Sequence, residues 1–94
     1  MDDRAKGLIR ALIYVVQFDE SPIDSIDRVF ERVIVGRAMH ASPEEYLAAI
    51  DSALKSTEQL SQLIPQDHPE VVIRSYLAGV QRRIEETSEK PQKS

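Results

Sequence analysis

The chain has 94 residues, 41% of them apolar and 30% charged, with a formal net charge of −4 and no cysteine or tryptophan. That length makes one domain with one core and leaves little over for a deep cleft. The absence of cysteine excludes disulfides, a thiol nucleophile and thiolate metal sites, and an acidic balance (pI about 5.1) argues against a nucleic-acid binder, which draws on clustered Lys and Arg.

The first predicted helix runs from about Asp3 to Phe18. Its stretch LIRALIYVV is apolar nearly all round, so it is expected to be the most buried element with Tyr14 in the core, although Leu12 to Val16 taken alone also fits a strand. Ser21-Pro22-Ile23-Asp24 then places an N-cap hydroxyl before a proline suited to N1, with an acid at N3. It opens a second helix, Pro22 to Met39, whose core stripe is Ile23, Ile26, Phe30, Val33 and Ile34.

Ser42-Pro43-Glu44-Glu45 is a full capping-box pattern. It starts a third helix, Pro43 to Ile64, with Leu47, Ile50, Leu54, Leu60, Leu63 and Ile64 on one stripe; Tyr46 fits either the core or a staple. Asp67-His68-Pro69-Glu70 is a looser cap for a fourth helix, Pro69 to Thr87, striped by Ile73, Leu77, Val80 and Ile84, with Tyr76 beside them. Gly79 lies mid-helix, where it costs roughly 1 kcal/mol against Ala, and a close helix crossing is the expected reason. Beyond Glu86 apolar character is lost, so a single helical domain over 1–87 is followed by a frayed tail over 88–94. With short connections, neighbours are antiparallel: the expected fold is all-α, a single-domain antiparallel four-helix bundle.

Charge is distributed unevenly over these elements. Phe18 to Glu31, FDESPIDSIDRVFE, holds five acids against one base, a local net charge equal to that of the whole chain. On a helical projection Asp24, Asp27 and Glu31 lie opposite the core residues, and Val35 falls on the acids' side. The candidate partner-binding residues are therefore Asp19, Glu20, Asp24, Asp27 and Glu31, with Val35 as an apolar anchor, facing a basic partner. A solvated face is the plainer reading, and the helix dipole alone accounts for Asp24 in a first turn.

No catalytic, cofactor-binding or metal-ligating set emerges. His40 and His68 are 28 residues apart without a metal-binding spacing, the three glycines form no phosphate loop, and no serine has a base and an orienting acid set out for it. His68 fits part of a cap, and His40 a helix C-terminal cation or a surface residue. Carboxylate pairs such as Asp24 with Asp27 need a water-excluding pocket to act in catalysis. The longest apolar run is far short of the roughly 20 residues of a membrane span, and Met1-Asp2-Asp3 is not the basic start of a signal peptide, so a cytoplasmic, non-enzymatic protein is expected.

Tyr14-Val15-Val16-Gln17-Phe18-Asp19 at the end of the first helix, the acidic start that follows, and Ser42-Pro43-Glu44-Glu45-Tyr46-Leu47-Ala48-Ala49-Ile50 opening the third also carry a resemblance. Over roughly Leu8 to Glu85 the chain resembles the small all-helical immunity proteins of contact-dependent growth inhibition systems of bacteria. The resemblance implies a cytoplasmic protein, monomeric before binding, that blocks the C-terminal toxin domain of a delivered effector, often a nuclease, in a stoichiometric complex. A helical scaffold or regulatory subunit acting by oligomerisation is the alternative, through the apolar surplus of the first helix or through Val35 and Val71.

Overall fold

The Asp2 carboxylate accepts the amide of Ala5 at 2.8 Å. This cap starts helix α1, Asp3–Tyr14, in the computed structural model, which describes residues 1–89. Leu8, Ile9, Leu12 and Ile13 bury one face of α1, and Val16 continues that face beyond the helix end. Tyr14 does not join the core: it is 63% exposed. A helix that is apolar all round has more apolar surface than its neighbours can cover, and the side of Tyr14 and Val15 is left over. The strand alternative for Leu12 to Val16 is not taken up.

The second helical segment departs most from expectation. It is a 3₁₀ turn over Pro22–Ser25, a single α-turn, α2, over Ile26–Val29, and a π-helix over Phe30–Val35. Ser21 makes no side-chain cap hydrogen bond. Three residues per turn in the 3₁₀ stretch rotate Ile23 away from the core, and it is 46% exposed, while Val29, Phe30, Val33 and Ile34 are buried as expected. Gly36 ends the π-helix where a Cβ would come within 2.5 Å of the Arg32 carbonyl oxygen. The link beyond it uses left-handed backbone at three non-glycine positions, Arg37, Met39 and His40, each costing roughly 1 kcal/mol. Arg4 ties this link down by donating to the Met39 carbonyl at 3.3 Å.

Helix α3, Pro43–Lys55, opens with the expected capping box: the Glu45 amide donates to Ser42 Oγ at 3.2 Å, and the Ser42 amide to Glu45 Oε1 at 3.1 Å. Tyr46, Ala49, Ile50 and Ala53 are its buried face. It ends nine residues before the expected Ile64; Leu60 is buried, but from a separate 3₁₀ turn, Leu60–Gln62. Helix α4, Glu70–Glu89, buries Ile73, Tyr76, Leu77, Val80 and Ile84. Two residues expected in the tail, Ser88 and Glu89, therefore belong to α4; the rest of that segment, 90–94, lies outside the described residues.

Packing of α1 on α3, α3 on α4 and the α2 segment on α4 makes an all-α four-helix bundle, with no strand among the described residues. The Tyr76 hydroxyl donates to the Leu12 carbonyl at 2.7 Å and so joins α4 to α1. At Gly79 a Cβ would lie 2.3 Å from Ile26 Cδ1. The expected close crossing is there, between α4 and α2.

Candidate partner-binding edge

Between α1 and the 3₁₀ turn, the chain reverses in a segment held from both sides. The Val16 carbonyl accepts the Asp19 amide at 3.0 Å and the His68 ring Nε2 at 3.0 Å. Because a carbonyl can only accept, that ring nitrogen carries the proton. Asp19, half-buried, accepts Ser25 Oγ at 2.7 Å and the Arg28 guanidinium. The Ser25 hydrogen bond and the Arg28 charge hold its carboxyl below the usual range. Within this frame Phe18 is 92% exposed. A rigid turn presenting a bare aromatic side chain meets the requirement for an interface anchor, since little conformational entropy remains to be lost on binding.

The six candidate residues separate into three groups. Asp19 is occupied by the turn itself. Asp27 pairs with Arg83 at 3.3 Å, and that guanidinium also sits 4.3 Å above the Phe30 ring, but the Asp27 side chain remains 88% exposed. Glu20, Asp24 and Glu31 are exposed, and no ion pair among the described residues includes them. Val35, 56% exposed, lines a hollow of about 270 Å³ with Phe30, Arg37, Pro43 and Ile84. None of Asp24, Asp27 and Glu31 lines that hollow.

Sequence reading missed Phe18 as the most exposed large apolar side chain among the described residues and His68 as the residue that steadies its turn. The departure of Phe18 from any core stripe was a usable signal; the contact of His68 with Val16, 52 residues away, left no local one. Phe18 forms one wall of a shallow hollow of about 310 Å³ that is also lined by Tyr14, Val15, Arg28, Arg32 and Val33. A second, of about 400 Å³, shares Tyr14 and Val15 and is bounded by Arg10, Met39 and Ile64.

A different polar cluster closes the opposite use of charge. Arg74 donates to the carbonyls of Leu54, Ser56 and Glu58 at 3.2, 2.9 and 2.9 Å, and to Glu70 at 2.8 Å. Glu70 in turn accepts the Leu60 and Ser61 amides at 3.0 and 2.8 Å. Burial pushes Glu70 up, but the Ser61 and Leu60 amides and Arg74 outweigh it and hold the carboxyl below its ordinary value. This pair terminates α3 and satisfies the connection to α4.

Among the described residues, no three His, Asp or Glu side chains are grouped to hold a metal ion, and no helix is long and apolar enough to cross a membrane. Comparison with protein-family models, curated proteins and solved structures returned no match.

Proposed function

We propose that this chain is a non-catalytic inhibitor, an immunity protein that captures a basic toxin domain in the cytoplasm through the edge running from Phe18 to Glu31. The observation that carries the reading is Phe18, 92% exposed on a turn pinned by His68, Ser25 and Arg28. Phe18 supplies the apolar anchor first sought in Val35. Among the described residues Glu20, Asp24 and Glu31 have no ion-pair partner to give up on binding, so their field is available to steer a basic surface. Asp19 holds the turn, and Asp27 lends a charge already shared with Arg83.

A nuclease toxin presents a cationic substrate groove, and an acidic edge with a central aromatic can occupy or border it without any chemistry of its own. The proposal expects a large effector ending in a small variable domain to be encoded beside this chain, and the test is growth of cells that express that domain. Co-expression of the chain rescues growth, with a one-to-one complex on purification. Growth arrest despite a well-expressed, folded chain contradicts the proposal.

A further inference from the structure

Capture of a basic partner leaves part of the same edge unused. The hollow walled by Phe18 and the one that adjoins it at Tyr14 and Val15 have Arg10, Arg28 and Arg32 as their charged lining residues, and no carboxylate lines either one. The Arg28 charge is taken by Asp19, whereas no ion pair among the described residues includes Arg10 or Arg32. Glu20, two residues beyond Phe18, is an equally unpaired acid. One surface of a net-acidic chain thus holds a protruding ring, an apolar hollow lined by Arg32, and, two residues from the ring, the acid Glu20, with neither Glu20 nor Arg32 in an ion pair among the described residues.

Such a surface complements itself. A two-fold operation brings each ring to the other copy's hollow and each acid to the other copy's base, so every favourable contact occurs twice. We infer that two copies of this chain pair through this edge. Phe18 of each enters the hollow between Val15 and Arg32 of the other, and Glu20 of each faces Arg32 of the other. An uncharged apolar ligand would leave the arginines without counterions, and an anionic membrane would be repelled by the acids. The face is small, so the pair is of the transient class. It competes with any partner that needs Phe18, whether or not that partner is a toxin.

Sedimentation of the full chain from low micromolar to near-millimolar concentration tests this. The weight-average mass climbs from 10.7 kDa toward twice that value. Phe18→Glu holds it at the monomer mass throughout, with an unchanged circular dichroism spectrum because Phe18 packs against little of the fold. Glu20→Arg and Arg32→Glu are each monomeric alone, since each places like charges together twice. An equimolar mixture of the two recovers a heterodimer, because both contacts are then opposite in sign. A wild-type mass that stays at the monomer value overturns the pairing, and so does a dimer indifferent to Phe18→Glu or a mixture that fails to associate. None of those results bears on toxin capture, which is read by growth.

Discussion

Two polar regions of this small bundle use charge in opposite ways. At the α3–α4 connection, Arg74 and Glu70 spend themselves inward, each bonding to the other and to backbone groups of one connection. At the Phe18 edge, Asp19 alone is spent on the turn, and Glu20, Asp24 and Glu31 enter no ion pair among the described residues. The difference teaches that an acid count does not mark a binding face. What marks one is charge with no structural task, next to an apolar group the fold leaves bare.

The largest effect separates the two regions through stability. Arg74→Ala removes the donor to three carbonyls and unpairs Glu70, and should cost about 3 kcal/mol of folding free energy in urea titration. A cost near zero would erase the contrast. Phe18→Glu should do the reverse: unfolding is unchanged, while affinity for the proposed toxin partner falls by about 30-fold or more, the loss typical of a central aromatic anchor, read by calorimetry.

Acid titration sharpens the contrast further. Glu70, Glu45 and Asp19 all have carboxyls held below their ordinary values, Glu45 by the Ser42 amide first of all. A depressed folded value gives stability that is present above the ordinary value and lost as pH falls through the folded one. Stability should therefore be level at neutral pH and decline from about 4.5 downward, the ordinary glutamate value. Glu70→Gln should flatten that decline more than Glu20→Gln, which changes no bonded carboxylate. Smallest of all, Asp27→Asn should leave the unfolding midpoint within error, because its pair with Arg83 is solvent-screened.

Local signals in the sequence were enough for some elements and not for others. The Ser42 capping box, the crossing at Gly79, and the outward positions of Asp24, Asp27 and Glu31 were legible because each depends on neighbours within one helical turn or on the absence of a side chain. The end of α3 was not: Leu60, Leu63 and Ile64 keep a helical rhythm, and what stops the helix at Lys55 is a guanidinium from Arg74, in the next helix. Ile23 was misplaced because it lies in a stretch wound more tightly than an α-helix, so a 100° wheel turns it to the wrong neighbours. Tyr14 failed differently, because burial of an all-apolar helix depends on how many neighbours arrive to cover it.

If the acids around Phe18 face the proposed toxin partner, they set its association rate. The most direct measurement is the stopped-flow association rate with that domain at rising salt, for the wild type and for Glu20→Lys/Asp24→Lys/Glu31→Lys. A rate roughly 10- to 100-fold lower is expected for the triple variant at low salt, with the gap closing as salt screens the field. Equal rates and equal salt slopes for the two proteins would contradict it.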